Sequence, residues 1–375
     1  MSSSDEFKGR PLPVSVSRRR FLSGTAVAGL AAVAAGSIAA PRILRADSGK
    51  ITVLNWQGYG TDEAWAVEEF KKKTGIEVVH DYFNSEPEMI TKLRTNPGAY
   101  DVVLTNCAWN GVASKEGLVQ AIDTSKITAF KSLTPTFRDS NLLNDGGKTY
   151  GIAWVWGMTA IAYNTNVFKK KPESIEILWD HKEAKRVALR DDGIEAVSFG
   201  AIATGQDMNH PKDLAKVKEK LLALKGQIAT LWSSEDEFNK LFSAKTFDLT
   251  PYWSGSAARS KITFKQPVGY VVPKEGAIGW FDGLAIATNA PNVDGAEKFI
   301  DYMVSPGFYA KWSKMGNAAS ANEEANKALA PDNFGREIHS DKAAISRLQY
   351  MAPLSDEERQ SYSDLWTEVK AAYAQ

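Results

Sequence analysis

The sequence beyond about residue 50 predicts an α/β protein built on a parallel sheet. Strand-like and helix-like segments alternate from Ile51 onward, and the helix-like segments carry start and stop signals. A β-α-β-α-β order of this kind needs helical crossovers, which place helices on the faces of the sheet. The mature part, about 325 residues long, can bury a large core, most naturally as two domains.

The first segments support this order one by one. ITVLNW is a strand, and TDEAWAVEEFKKKTG is a helix with Gly75 as its stop signal. IEVVHDYF is the second strand. SEPEMITKLRTN is a helix that opens with a capping box of Ser85 and Glu88, and YDVVL is the third strand.

The pattern changes at residues 150–164, an apolar and aromatic run that is too long for one ordinary strand. We expect a strand that crosses from one domain to the other. The segments RVALRDD, FDLTPYW and DGLAIATNA predict further strands, with DGLAIATNA beginning at Asp282. Helices are predicted from about Ile194, over PKDLAKVKEKLLALKG and DGAEKFIDYMVS, and from about Ser355 to the C-terminus.

The N-terminus predicts an export signal over residues 1–46. Residues 17–22, SRRRFL, match the twin-arginine pattern S-R-R-x-F-L. An uncharged apolar run over residues 25–40 follows, shorter than the roughly 20 residues of a membrane helix. Cleavage near Ala39, Ala40 or Ala46 stays open. The alternative is a chance basic cluster before a core helix. The export reading predicts a periplasmic protein that uses the twin-arginine machinery.

Composition excludes several classes of function. Cys107 is the only cysteine, which leaves no internal disulfide and no lipid-modified residue, and the formal net charge of zero argues against a nucleic-acid partner. No histidine pair has metal-ligand spacing, and no nucleotide-binding or complete nucleophile motif is present. The sequence therefore predicts no metal, no cofactor and no enzymatic reaction. The four histidines are His80, His181, His210 and His339.

Aromatic and acidic residues lie next to the strand-like segments, where α/β sheets bind ligands. Carboxylates neutralise ammonium groups, and indole faces attract cations and cover methylene chains. The pattern therefore predicts a cleft for an organic cation. The residues concerned are Trp56, Tyr59, Asp192, Glu195, Trp253, Trp280 and Asp282.

Structural roles remain open for each of these residues. Asp192 and Glu195 have the spacing of a helix N-cap. Trp56 with Tyr59 could form a hydrophobic staple. The later tryptophans could belong to the core. Only their joint placement favours a ligand site.

The motifs NWQGYG, GAYDVVL, KEGLVQAID, WGMTAIAYN, WSGSA and PKEGAIGWFDGLAIATNA resemble the polyamine-binding periplasmic proteins, the spermidine/putrescine receptors of ABC importers. The likeness extends over nearly the whole mature chain. It implies a type II periplasmic-binding-protein fold: two lobes, each a mixed sheet flanked by helices, joined by hinge strands. The lobes would comprise residues 50–155 plus 280–325 and residues 156–279 plus 326–375. The implied partners are a small amine and a membrane permease, and the implied state is a monomer.

The resemblance also implies which residues contact the ligand. The rings that wall the site and sandwich a polymethylene chain would be Trp56, Tyr59, Trp253 and Trp280. The carboxylates that bind amine groups would be Asp192, Glu195 and Asp282.

Several positions depart from the family pattern. Asn106 and Ala108 stand where polyamine binders often carry Ser and Tyr, and Asn317 stands where an aromatic residue is common. The pocket, with Asn106 and Asn317 as ligand contacts, is then more polar. A zwitterionic ligand such as 4-aminobutyrate or an opine is the alternative, with Arg190 or Arg259 for its carboxylate. Either arginine could instead be a surface or helix-end charge. An exported enzyme is the third hypothesis.

Overall fold

The structure is a computed structural model, and it describes residues 49–180, 186–315 and 318–375. The predicted export signal and Asn317 lie outside the described residues. Within those ranges no helix has both the length and the apolar character needed to cross a membrane.

The strands alternate with helices along the chain. The strands are β1 (Lys50–Asn55), β2 (Glu77–Tyr82), β3 (Val102–Asn106), β4 (Val119–Gln120), β5 (Asn144–Asp145), β6 (Lys148–Thr149), β7 (Ile152–Asn164), β8 (Val187–Arg190), β9 (Ile228–Trp232), β10 (Leu249–Trp253), β11 (Val268–Val271), β12 (Ala277–Ala287), β13 (Ala319–Ser320) and β14 (Leu348–Tyr350).

The helices connect these strands and cover the sheet. They are α1 (Ala64–Thr74), α2 (Glu86–Thr95), α3 (Cys107–Lys115), α4 (Pro135–Arg138), α5 (Ile177–Asp180), α6 (Gly193–Ala203), α7 (Leu214–Leu222), α8 (Glu235–Ser243), α9 (Ser254–Ile262), α10 (Val293–Met303), α11 (Pro306–Trp312), α12 (Glu323–Lys327), α13 (Phe334–Ser340), α14 (Lys342–Ile345) and α15 (Asp356–Tyr373). Short 3₁₀ turns occupy Thr124–Lys126, Phe130–Ser132 and Ser313–Met315.

One sheet runs through the described chain in the order β2-β1-β3-β12-β7-β10-β8-β9. Strand β1 lies parallel to both β2 and β3, as the β-α-β-α-β pattern predicts. Strand β8 likewise lies parallel to β9 and β10. The two parallel groups are joined through the antiparallel pair β7 and β12. This arrangement confirms the predicted α/β class.

The predicted crossing strand is β7, whose 13 residues are all buried. Its first half pairs with β12 on one side and β13 on the other, and its second half pairs with β10 and β11. The prediction that the next long strand begins at Asp282 is wrong, because β12 already begins at Ala277. Asp282 lies inside β12 at a register shift between Asp282 and Gly283.

Buried apolar side chains form two clusters. The larger includes Phe70 of α1 and Trp232 of β9, so it extends along the whole sheet. The smaller includes Phe199 and Trp366, and fills the space between β8, α6, α7 and α15. The clusters do not coincide with the two halves of the sheet, and the predicted lobe boundaries stay a prediction.

Local signals account for most helix ends. Gly75 follows α1 with a φ of 75°, a left-handed conformation that glycine adopts without steric cost. Ser85 caps α2 by accepting from the backbone N of Glu88 at 3.3 Å. The predicted capping box is only half formed, because the Glu88 carboxylate accepts from the backbone N of Asn84 instead, at 2.9 Å.

A close approach between β7 and β12 fixes Trp280. Gly157 pairs with Trp280 across the two strands. A Cβ atom at Gly157 would lie 2.6 Å from Trp280 Cη2 and 2.9 Å from Ser254 Oγ. Both distances are shorter than van der Waals contact, so only glycine lets the indole lie flat over β7.

We expect Gly157→Ala to lower the free energy of unfolding by about 1–3 kcal/mol, because the added methyl group overpacks this contact. Gly226→Ala is the matched control, since a Cβ atom there meets no atom within 4 Å. Its effect should stay within about 0.5 kcal/mol. Urea unfolding measures both values, and equal effects of the two substitutions would contradict the packing argument.

Candidate ligand-binding site

The parallel strands β1, β2 and β3 bring three polar side chains to one edge of the sheet. Tyr59 lies in the loop after β1, Glu86 is the first residue of α2 after β2, and Asn106 ends β3. Carboxyl ends of parallel strands meet at the same edge, where α/β sheets bind ligands. The antiparallel β12 adds Asp282 directly opposite Asn106.

These side chains form the Asp282 cluster, which consists of Asp282, Tyr59 and Asn106. The Tyr59 hydroxyl donates to Asp282 Oδ2 at 2.8 Å, and Asn106 Nδ2 donates to Asp282 Oδ1 at 2.9 Å. Asn106 Oδ1 accepts from the backbone N of Ala108 at 3.0 Å as the cap of α3, which turns the amide nitrogen towards the carboxylate. Both oxygens of Asp282 therefore have a neutral donor.

Asp282 is a buried carboxylate without a cationic partner. Its residue is only 6% exposed, and burial raises the pKa of Asp282 to about 7, although the bonds from Tyr59 and Asn106 act to lower it. In the ranges that the structure describes, no Lys, Arg or His forms an ion pair with it. Such a group is costly unless a cation arrives to pair with it.

A second group, the Arg190 cluster of Arg190, Asp192, Glu195 and Trp253, follows the parallel strands β8 and β10. Arg190 Nη1 lies 3.3 Å from Asp192 Oδ2 and 3.2 Å from Glu195 Oε2. The Arg190 guanidinium lies over the Trp253 ring, 4.8 Å from its centroid. Trp253 Nε1 donates to Glu195 Oε2 at 3.3 Å. The four side chains thus hold one another in place.

The helix-cap alternative for Asp192 is also correct, because Asp192 Oδ1 accepts from the backbone N of Glu195 at 2.9 Å. The cap uses one oxygen and leaves the other for Arg190. Burial raises the pKa of Glu195 to about 7, while Arg190 acts to lower it and Asp192 to raise it. Capping and ion pairing therefore coexist in the same side chain.

Glu86 links the two clusters electrostatically. Burial raises the pKa of Glu86; Asp192 raises it further, and Arg190 lowers it. The Glu86 charge also contributes to the raised pKa values of Tyr59 and Asp282. The sheet register agrees with this link, because Trp253 pairs with Thr159 of β7, and Thr159 pairs with Ile278, which lies four residues before Asp282 in β12.

Partly exposed aromatic rings line the same region. Trp56 packs edge-on against Phe83 with ring centroids 4.6 Å apart, and Tyr59 packs edge-on against Trp154 at 5.8 Å. Trp253 and Trp280 are likewise half-buried rather than core residues. Partly exposed rings that neighbouring side chains hold in place are suited to contact a ligand.

Arg259 lies in the last turn of α9, so the helix-end alternative is correct for it, although its side chain is only partly exposed. Its Nε donates to Glu235 Oε1 at 2.5 Å, and its side chain is 31% exposed. Its charge acts to lower the pKa of Tyr59. Arg190 is similarly half-buried and ion-paired. Both arginines are therefore held by ion pairs rather than free at the surface.

Residues 65–343 match a family described as bacterial extracellular solute-binding protein, which is most of the chain. The chain belongs to this solute-binding family. The resemblance predicted from the sequence motifs is confirmed, and the two clusters are the candidate ligand site of this solute-binding protein.

Curated relatives and solved structures agree with this assignment. The chain is 30% identical over 332 residues to the spermidine/putrescine-binding periplasmic protein of Salmonella typhimurium, which covers 87% of this chain and 92% of the relative. It is 32% identical over 292 residues to the protein of that name from Escherichia coli, covering 76% and 81%. A spermidine/putrescine ABC transporter substrate-binding protein from Streptococcus pneumoniae superposes with a TM-score of 0.76 at 24% identity, covering 86% and 99%. That superposition confirms the two-lobed fold.

The structure brings most of the predicted residues of this solute-binding protein into two clusters, and it adds one that the sequence reading missed. Glu86 was interpreted only as part of a helix start. Its position directly after a parallel strand, at a helix N-terminus, is the signal that identifies it. In the described part of the chain, no group of three or more potential ligands is arranged to hold a metal ion.

The raised pKa of Asp282 predicts a pH-dependent stability. In the unfolded chain Asp titrates near its ordinary pKa of about 3.9. Because the folded pKa, about 7, is the higher one, the contribution of this carboxyl to stability is full below pH 4 and is lost as the pH rises through 7. Asp282→Asn removes this loss.

We therefore expect the stability of Asp282→Asn relative to the wild type to rise by about 2–4 kcal/mol between pH 4 and pH 8. Urea unfolding of the ligand-free proteins at both pH values measures the difference. Asp294→Asn, at an exposed position of α10, is the control and should show no such trend. A pH-independent difference for Asp282→Asn would show that its carboxyl does not titrate abnormally.

Proposed function

We propose that this solute-binding protein captures a small organic amine, with an ammonium group of the ligand bound at Asp282. The observation that carries the proposal is the buried Asp282 carboxylate, which has two neutral donors and no cation among the described residues. An ammonium group supplies the missing charge through charge-assisted hydrogen bonds. No other ligand chemistry meets this requirement as directly.

The surroundings of Asp282 support the same chemistry. Glu86 adds a second negative charge that acts on Asp282. The open faces of Trp56, Tyr59 and Trp280 can cover methylene groups and attract the cation. Closure of two lobes on the ligand would remove water from these groups and so strengthen the ion pair.

Two ligand classes are compatible with an ammonium group at Asp282. The relatives from Salmonella and Escherichia coli are named for spermidine and putrescine, which supports a polyamine. The carboxylates of Asp192 and Glu195 would then bind the second amine. A zwitterionic amine is the second candidate, and it is favoured by Arg190, which already pairs with both of those carboxylates.

The cellular role in this proposal is that of a receptor. Residues 17–22 support export by the twin-arginine machinery, followed by signal cleavage and release into the periplasm. Membership of the solute-binding family supports delivery of the ligand to the membrane permease of an ABC importer. In this proposal the receptor is a monomer and performs no chemistry. The lobes would divide at residues 155, 279 and 325. Asn317 stays a predicted ligand contact.

Asp282→Asn should weaken binding of the preferred amine far more than tenfold. The substitution leaves a buried ammonium unpaired, which costs on the order of 2–5 kcal/mol. Calorimetric titration of refolded, ligand-free protein with putrescine, spermidine, 4-aminobutyrate and an opine identifies the preferred amine. Asp236→Asn, on the exposed face of α8, should leave its affinity unchanged. If Asp282→Asn binds that amine as tightly as the wild type, Asp282 is not the ammonium site.

The export proposal is tested in cells. Replacing both Arg18 and Arg19 by Lys keeps the charge and removes the twin-arginine pattern. We expect the protein to disappear from the periplasmic fraction and to accumulate in the cytoplasm. Arg42→Lys with Arg45→Lys is the matched control and should be exported normally. Equal periplasmic amounts of the two double variants would point to another export route.

A further inference from the structure

Arg190 occupies the position in which the second cluster would bind a cation. Two carboxylates and an indole face together form a site for an organic cation. In this chain the guanidinium of Arg190 lies within 3.3 Å of both carboxylates and over the Trp253 ring. The site is therefore already filled by a residue of the protein itself.

We propose that Arg190 is a selectivity residue that excludes a second ammonium group and binds an anionic group instead, so that the ligand is a zwitterionic amine of the ω-amino acid type. This inference rests on the proposed function, since it takes the ammonium end to be bound at Asp282. It concerns only the other end of the ligand.

The first argument is the charge that a second ammonium would meet. Asp192 and Glu195 would attract it, but Arg190 lies against both of them. A diamine must then either displace the guanidinium from its ion pairs and from Trp253 or accept a like charge as neighbour. In either case a diamine should bind more weakly than a ligand that has only one ammonium group.

The second argument is the unused hydrogen-bonding capacity of Arg190. A guanidinium has five donors. Nη1 serves both carboxylates, whereas Nε and Nη2 have no hydrogen-bond partner within residues 49–180, 186–315 and 318–375. The side chain is 29% exposed, so water or ligand can reach it. A planar fork of this kind matches a carboxylate.

The third argument is position. The pKa of Glu86 responds to Arg190 and Asp192, and the Glu86 charge acts in turn on Asp282. The sheet register agrees with this link, because Trp253, which lies against Arg190, pairs with Thr159, and Thr159 pairs with Ile278, four residues before Asp282 in β12. We infer that a short chain with its ammonium group at Asp282 can extend towards Arg190. The unpaired donors there favour an anionic end over an apolar one.

Three four-carbon probes separate the alternatives because they share one ammonium group and differ at the other end. Putrescine carries a second ammonium, n-butylamine a methyl group, and 4-aminobutyrate a carboxylate. Each is titrated calorimetrically into the full mature wild type and into Arg190→Gln, after unfolding and refolding to remove bound ligand. Arg138→Gln, which alters an arginine paired with Asp139 on the short helix α4, is the matched control.

The wild type should bind 4-aminobutyrate at least tenfold more tightly than n-butylamine, with putrescine weakest. Arg190→Gln should weaken 4-aminobutyrate and strengthen putrescine, each by at least tenfold. Arg138→Gln should keep the wild-type order. Arg190→Lys keeps the charge without the fork, so it should still disfavour putrescine while losing affinity for 4-aminobutyrate. This variant serves as the test if Arg190→Gln fails to fold.

Tight putrescine binding by the wild type, with a putrescine to 4-aminobutyrate ratio that Arg190→Gln leaves unchanged, would overturn this inference. The proposed amine function would then stand. Failure of all three probes to bind either protein, together with no effect of Asp282→Asn on any amine, would instead count against the proposed function. The two failures are therefore distinguishable.

Discussion

The proposed ligand site depends on one unfavourable interaction, the burial of the Asp282 carboxylate without a cation. The side chain lies at a register shift in β12, where pairing with β3 begins on one side while pairing with β7 continues on the other. The hydrogen bonds from Tyr59 and Asn106 offset only part of the desolvation, since the pKa remains near 7. Ionisation of Asp282 is therefore costly in the ligand-free protein, and a bound cation would favour the ionised form, which is the physical basis of the proposed cation capture.

The same geometric rule supplies the polar groups on both sides of the cleft. Parallel strands end at one edge of each half of the sheet, and the next helix begins there with an N-cap. Asn106 and Asp192 are both N-caps whose remaining polar atoms point at a partner across the edge. A cap therefore does not argue against a ligand role. It fixes the side chain in one orientation, which is what a preorganised site needs.

Much of the fold could be predicted from the sequence, because its signals are local. The parallel order, Gly75 as a helix stop and the long β7 follow from periodicity and composition. The start of β12 could not be predicted from the sequence, because the strand conformation of its first residues depends on pairing with β7 and β14. The ion pairs of Arg190 were also hidden. Sequence spacing shows that Arg190, Asp192 and Glu195 are close along the chain. It does not show that Arg190 pairs with the two carboxylates that a ligand cation would otherwise contact.

Arg190 also lowers the electrostatic cost of placing Asp192 and Glu195 side by side. Asp192 and Glu195 without a cation would repel one another, and burial of Glu195 would add to that cost. Arg190 neutralises part of this charge before any ligand arrives, whereas Asp282 has only neutral donors. Under the two proposals, a ligand would therefore gain most of its binding energy at Asp282 and would be selected at Arg190. A substitution at Arg190 would then change what is accepted at the far end of the ligand without changing the ammonium site.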